Sequence, residues 1–465
     1  MPLSRRAALA GAASLAALPA VAQPRRRELR VAVVGAGLAG LVCAHRLVAA
    51  GVTDVTVYEA NRRIGGRVLS GRGTVGEGTL VELGGSFINT EHKDMLALAE
   101  EFGLPLEDGA APPGDALTAT YFIAGQKRSL AEIAAAASEL VARLGPLREA
   151  DDAVKAREDR ASAAAMLDRF GVSGWLRSLL DIGLTQEMGA EPGEMSALYL
   201  VEAFAPDPAK PKQGLFSSDQ RFQITGGNDR LPAALATKLG PRIRLGQRLE
   251  AVRPDGRRYT LTLNGRDVTA DVVVLTVPAT TLRAVALDVP LPGLTRRAIR
   301  DLGYGTNAKL FAAVSDRPWL RQGASGECLN DLGFQTVWED HPQPGAGGPG
   351  KLTIFAGGAV GRGFGRGTPD ARAREITRSL DQAFPGTAAA YMGRAERMHW
   401  PTNPYVGGSY SCFRPGQWFG FAEAFAAAGG VFFAGEHASE KYSGYMNGGA
   451  ESGRLAAEAI LTRLG

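Results

Sequence analysis

The stretch Leu29 to Glu59, LRVAVVGAGLAGLVCAHRLVAAGVTDVTVYE, constrains the fold of this chain more than any other part. Leu29 to Val34 is a short Val-rich apolar run, the pattern of a parallel strand buried on both faces. Gly35, Gly37 and Gly40 follow as G-x-G-x-x-G, with Leu38 and Ala39 opening a helix. The first glycine allows the tight turn, the second lets backbone approach a pyrophosphate, and the third lets the helix pack on the strand. Gly51 closes that helix, Val55 to Tyr58 form a second strand, and Glu59 ends it where a carboxylate can hold ribose hydroxyls. Together these features predict an α/β chain with a Rossmann-like domain that binds an adenine dinucleotide with an unphosphorylated ribose.

At 465 residues the chain exceeds one ordinary core, so a second domain is expected. Glycine is nearly twice as frequent as usual, at 60 residues, but 45% of residues are hydrophobic, which points to a turn-rich globular protein. No segment reaches the roughly 18 consecutive apolar residues of a membrane span. Arg5-Arg6, the mild apolar run Ala7 to Leu18 and then Ala20-Val21-Ala22 read as a twin-arginine export signal over residues 1–22, which implies a periplasmic location. Cleavage after Ala22 removes two arginines and no acid, so the formal charge of +4 falls only slightly and gives no reason to propose nucleic acid. Cys43 falls on the first helix as a small core residue; whether Cys328 and Cys412 pair is left open. Oligomeric state is open too, and a homodimer is compatible with the sequence.

After Ala60 comes Asn61-Arg62-Arg63-Ile64-Gly65-Gly66-Arg67, whose glycines and flanking arginines can lay backbone and positive charge against a pyrophosphate. Glu82-Leu83-Gly84-Gly85-Ser86 follows. In order, G-A-G-L-A-G, E-A-N-R-R-I-G-G-R-V and E-L-G-G resemble the flavin amine oxidase family. The most specific match is the late segment F-F-A-G-E-H-A-S-E-K-Y-S-G-Y-M-N-G-G-A-E-S-G. The resemblance covers nearly the whole mature chain. It implies FAD as cofactor and a Rossmann-like FAD-binding domain of the glutathione-reductase/amine oxidase type, built from residues 29–91, 222–290 and 425–465. A discontinuous mixed α+β substrate domain takes residues 92–221 and 291–424. Residues 92–221 read as mostly helical, a roof over a pocket. Asp255-Gly256 and Asn264-Gly265 mark hairpins, and Gly357 to Gly367, lacking G-K-[ST], reads as a loop into a helix.

The resemblance also assigns roles. Beyond the two glycine segments, Val252 offers backbone to the adenine end of FAD and Trp400 lies beside the flavin. Glu436, after Gly435, holds the ribityl chain. Gly444, Tyr445 and Met446 open a helix whose N-terminus faces the pyrimidine edge. Lys309 holds a water against flavin N5, and Tyr410 and Tyr445 form an aromatic cage that orients a neutral amine. Ser409 stands where members with covalent FAD carry a cysteine, so the cofactor should be non-covalent. Ser86-Phe87-Ile88-Asn89 lacks the arginine that amino acid oxidases place there, which favours a simple amine.

The reading is therefore FAD-dependent oxidation of a primary or secondary amine to an imine, with electrons passing to O2 or a redox protein such as a cytochrome. Three alternatives share the dinucleotide turn: an L-amino acid oxidase, a desaturase-type oxidoreductase, and a non-enzymatic FAD-bearing subunit that docks on a partner.

Overall fold

The strand Arg30–Val34 lies in the middle of a five-stranded parallel sheet. The computed structural model describes residues 29–109, 117–209, 215–216, 218–339, 341 and 348–463, so the expected export signal lies outside the described residues. The order across the sheet is Val431–Phe433, Val272–Leu275, Arg30–Val34, Asp54–Glu59 and Ile243–Leu245. The chain leaves the first strand for one neighbour and later returns on its other side. The carboxyl end of Arg30–Val34 is thus a topological switch point, where open α/β sheets bind ligands.

Both faces of the first strand are buried, as its unbroken apolar run predicts. Val31 and Val33 pack under the helices Leu38–Ala49 and Met446–Arg463, with Leu41, Leu47 and Ile460. Ala32 and Val34 pack against a four-stranded sheet, with Val252 and Leu261. The two helices approach to backbone distance: a Cβ on Gly453 would stand 2.3 Å from the Ala39 carbonyl oxygen. Asn264 and Gly265, both at positive φ, form the expected two-residue hairpin loop. Gly246, with φ +68°, separates Ile243–Leu245 from Leu249–Asp255 and sends the two strands to different sheets.

The second domain is built on a seven-stranded sheet in the order Tyr391–His399, Ala308–Val314, Gly350–Ala356, Thr336–Trp338, Ala324–Asn330, Thr118–Ile123 and Gln126–Arg128. Its last two strands come from the region read as mostly helical. They form a tight hairpin, because Ala124 and Gly125 both take positive φ and Thr118–Ile123 is rich in β-branched and aromatic residues. The remainder of that region is helical, from Leu130–Ala136 to Leu198–Ala203.

Two domain boundaries move. The helix Lys93–Glu101 puts Met95 and Leu98 into the core beneath the parallel sheet, and Leu106–Asp108 pairs with Phe222–Ile224, so residues 92–109 belong to the cofactor domain. Leu291 and Ile299 likewise complete the core on the other face of that sheet.

The closeness of the two helices sets a test. Gly453→Val should cost about 3 kcal/mol in a urea melt, because the branched side chain meets backbone that cannot yield. Gly449→Ala, whose Cβ would stand 3.9 Å from its nearest neighbours, should leave stability unchanged.

Candidate active site

A cavity of about 1630 Å³ opens at the switch point and runs between the domains. Gly35 takes φ +109°, and a Cβ there would lie 2.5 Å from Thr276 Oγ1. Gly37 precedes the first helix without any side-chain cap, so the first-turn amides at Leu38 and Ala39 open on the cavity. Gly65 donates its N–H to the Ala36 carbonyl (2.8 Å), and a Cβ on Gly66 would stand 3.2 Å from the Gly37 Cα. Glu59 fixes this arrangement: its carboxylate accepts from the Ala36 and Asn61 N–H groups, both at 2.7 Å, and it lines the cavity beside Ala60. A bare glycine turn, an uncapped helix and an adjacent acid are the donor set that a dinucleotide with a free ribose requires.

Most residues assigned from sequence line this cavity, and four do not. Gly40 acts from behind, since a Cβ on it would lie 2.0 Å from the Gly35 carbonyl oxygen. Arg62 is exposed and its neighbour Arg63 faces inward, because the glycine turn leaves only one of the paired side chains on that side. Leu83 packs on Val75 and Val81 and gives its carbonyl to Trp400 Nε1 (3.0 Å). Val252 is wholly buried between two sheets with its carbonyl accepting from Asp288 N–H; the break at Gly246 brings Arg248, Leu249 and Glu250 to the cavity instead.

At the far end of the glycine segments stand Arg67, Gly84, Gly85, Ser86, Lys309, Trp400, Tyr410, Gly435, Glu436, Gly444, Tyr445 and Met446. Glu436 accepts from Arg67 Nη1 (2.8 Å), Ser411 Oγ (2.6 Å) and Gly444 N–H (2.8 Å). Burial pushes its carboxyl up, but Arg67, His437 and Ser411 outweigh that and hold it below the usual range. The carboxylate ties three protein segments together, and a ribityl hydroxyl held there, as the resemblance implies, would share an already bonded acid.

Lys309 is buried in the strand Ala308–Val314 and donates to the carbonyls of Glu82 (2.8 Å) and Gly84 (2.7 Å) and to Ser86 Oγ (2.6 Å). These bonds engage an ammonium's three hydrogens, so a water held there, as the resemblance implies, would replace one of them, and Ser86 is the partner that can rotate. Its ammonium also stands 5.4 Å from the ring centroid of Trp338 and 5.8 Å from that of Phe355. Behind it, the buried Glu82 carboxylate accepts from Ser70 Oγ, Asn228 N–H and His341 Nε2. Burial lowers the His341 imidazole, but hydrogen bonds to Glu107 and Glu82 prevail and raise it to about 9, leaving it the cation between two acids.

Tyr410 and Tyr445 both face the cavity. The Tyr410 hydroxyl donates to the Glu187 carbonyl, and Tyr445 packs edge-on against His92 at 5.1 Å between ring centroids. Burial raises both phenols, so they stay neutral. The Ser409 hydroxyl bonds Asn307 Oδ1 (2.6 Å). Cys43, Cys328 and Cys412 are all free and buried, which answers the open pairing, and burial pushes each thiol to about 12. Sequence reasoning missed Glu187, Glu327, Trp338 and Phe355, which also line the cavity. Their only signal is strand alternation at Trp338 and Phe355. Among the described residues no cluster of acids, histidines or cysteines could hold a metal.

The clamp around Lys309 yields a prediction. Lys309→Met leaves two buried carbonyls without their donor, at about 1–3 kcal/mol each. The variant should melt earlier and turn over more slowly while keeping its FAD; unchanged flavin reduction and reoxidation rates would remove Lys309 from the reacting end.

The family model for flavin containing amine oxidoreductases matches residues 38–461. The Mycobacterium tuberculosis protein named flavin-containing monoamine oxidase AofH is 28% identical over 456 residues, covering 93% of this chain and 97% of the relative. An L-amino-acid oxidase of Vipera ammodytes ammodytes is 25% identical over 465 residues, covering 92% of each. Among solved structures, cyclohexylamine oxidase from Brevibacterium oxydans IH-35A superposes with a TM-score of 0.81 at 24% identity, covering 95% of this chain and all of that one. Putrescine oxidase bound to putrescine gives a TM-score of 0.79 at 20% identity, with 94% and 99% covered. The chain belongs to the flavin containing amine oxidoreductase family and is an FAD-dependent oxidoreductase acting on amines.

Proposed function

We propose that the substrate is an amine without a carboxylate group. The carrying observation is the charge of the cavity lining. Among the described residues its arginines are Arg63, Arg67 and Arg248, all on segments of the cofactor domain. The other domain contributes the acids Asp152, Glu187, Glu202 and Glu327; of its two lysines in the lining, Lys155 is paired with Glu202 at 2.9 Å and Lys309 donates to the Glu82 and Gly84 carbonyls and to Ser86 Oγ. An amino acid's carboxylate would meet negative charge and no guanidinium fork.

FAD, when bound, supplies the two-electron acceptor at N5 for a hydride from the carbon next to nitrogen. The chain's own residues prepare the amine. Tyr410 and Tyr445 give apolar walls on which a neutral amine is held more readily than a solvated ammonium, and they limit how it can turn. Trp400, anchored on the Leu83 carbonyl, closes the flavin end.

We further propose that FAD is non-covalent, since Ser409 presents a hydroxyl and none of the three thiols lines the cavity. The Arg5-Arg6 leader supports export to the periplasm, with O2 or a redox protein taking the electrons.

Anaerobic bleaching of the flavin tests the substrate class. Pentylamine or benzylamine should reduce it, whereas L-leucine and L-phenylalanine should not; faster reduction by an amino acid overturns the proposal. Acid precipitation should release yellow FAD into the supernatant, and colour retained in the pellet would show a covalent link. Replacing Arg5-Arg6 by Lys-Lys should leave uncleaved protein in the cytoplasm; normal periplasmic recovery argues against that route.

A further inference from the structure

Three residues beyond the strand Thr336–Trp338, His341 lies buried where the two domains meet, off the cavity lining. This stretch of chain touches the Lys309 clamp twice. Trp338 sets its ring centroid 5.4 Å from the ammonium, and His341 bonds Glu82, whose main-chain carbonyl the same ammonium holds at 2.8 Å. Both imidazole nitrogens face carboxylates: Nε2 stands 3.2 Å from Glu82 Oε1, and Nδ1 stands 2.6 Å from Glu107 Oε2. A neutral imidazole has one N–H and would turn a lone pair on one of these acids, so the geometry calls for hydrogen on both nitrogens. The ring is an imidazolium. Glu82 is wholly buried and cannot turn to water, whereas Glu107 is partly exposed.

Other charged groups approach this cluster without displacing the pairing. Lys351 gives its ammonium to the His341 carbonyl (2.9 Å), and Gln223 Oε1 accepts the His341 N–H (3.4 Å). Glu339, two residues earlier, stands 3.9 Å from Arg317. Arg72 adds positive charge on the Glu82 side while paired with Asp229 at 2.7 Å. From the far side Asn228 gives its N–H to the Glu82 carboxylate and its Nδ2 to the Gly85 and Ser86 carbonyls (2.9, 2.9 and 2.8 Å). The placement of the carbonyls that grip Lys309 thus depends on how the Glu82 side chain is held.

We propose that His341 is a positioning residue for the reacting end: as an imidazolium it locks Glu82, and the main chain from Glu82 to Ser86 then offers its oxygens to Lys309 in one arrangement. Loss of the proton leaves a ring that satisfies only one of two acids. The clamp loosens, while the cofactor stays bound through the glycine turns and Glu59, which lie on other segments. The two acids raise the imidazole from its ordinary 6.5 to about 9, so its contribution is complete below 6.5 and fades as pH rises through 9. Flavin reduction is thereby made sensitive to alkaline pH from a place the substrate does not touch. The proposal rests on amine oxidation itself and is independent of the substrate class.

The test follows anaerobic flavin reduction by saturating benzylamine in the FAD-loaded enzyme, from neutral to alkaline pH. Glu107→Gln removes one acid, so the alkaline fall in the limiting rate should begin about one pH unit lower than in the wild type. The amine's own ionisation is common to both proteins and cannot produce that difference. His341→Gln should keep its FAD, slow reduction by about 10-fold at neutral pH through misplacement of Lys309, and no longer respond to Glu107→Gln. A readout without substrate is histidine-selective 13C labelling, in which the one of five imidazole signals missing from His341→Gln should titrate near pH 9 in the wild type and lower in Glu107→Gln. Coincident pH profiles for the wild type and Glu107→Gln, or a His341 signal that titrates below neutral pH, overturn the proposal. If His341→Gln fails to fold, the Glu107→Gln profile decides alone. If benzylamine does not reduce the flavin, the substrate reading fails, and the same comparison is made with the amine or amino acid that does.

Discussion

Backbone contact at Gly37 is the constraint on which the cofactor half depends. Four chain segments converge there: the end of the first strand, the start of the first helix, the Gly65-Gly66 turn and the end of the strand that carries Glu59. A Cβ at Gly66 would stand 3.2 Å from the Gly37 Cα, and one at Gly40 2.0 Å from the Gly35 carbonyl oxygen. Side chains at these points would separate elements whose amides must stay bare for phosphates. Glu59 then bridges the turn to the second strand through two N–H groups at 2.7 Å. Cofactor recognition is thereby built from main chain and one acid.

The reacting end rests on a different device, a buried cation joining two domains. Lys309 leaves the substrate sheet and donates to the carbonyls of Glu82 and Gly84, which belong to the cofactor domain. Trp400 adds a bond from the same sheet's last strand region to the Leu83 carbonyl. Glu82 is held in turn by Ser70, Asn228 and the His341 cation. The flavin end of the cavity is thus fixed by hydrogen bonds to carbonyls that cannot move without disturbing both domains. An ammonium in that position costs desolvation, which is recovered only because every one of its hydrogens meets an oxygen.

The cofactor domain was legible in the sequence because its requirements fall on short stretches. A glycine with φ +109° at position 35, a helix start without a cap, and an acid at a strand end are local facts that residue type reports directly. Errors there are of one position, as with Arg62 and Arg63, where the sequence offers two arginines and only the turn decides which faces in. Val252 lies off the cavity lining for a related reason: Gly246, at φ +68°, separates the strand Ile243–Leu245 from Leu249–Asp255. The helix Lys93–Glu101 was read correctly as a helix but given to the wrong domain, since its apolar stripe does not say which core receives it.

The substrate side was not legible, because its order comes from long-range pairing. Thr118–Ile123 joins Ala324–Asn330 about 200 residues later in the chain, and Glu327 faces the cavity only through its strand's register with Thr336–Trp338. No spacing within the sequence announces that relation. Register also explains how such a site can change. A slip by one residue would turn Glu327 away and bring Cys328 to the cavity face, whereas a substitution at 327 alters the lining without moving a strand. The cofactor half offers no such freedom, as its contacts are main chain. Substrate preference can therefore diverge one side chain at a time on the sheet face, while the dinucleotide turn and the Lys309 clamp keep the flavin end unchanged.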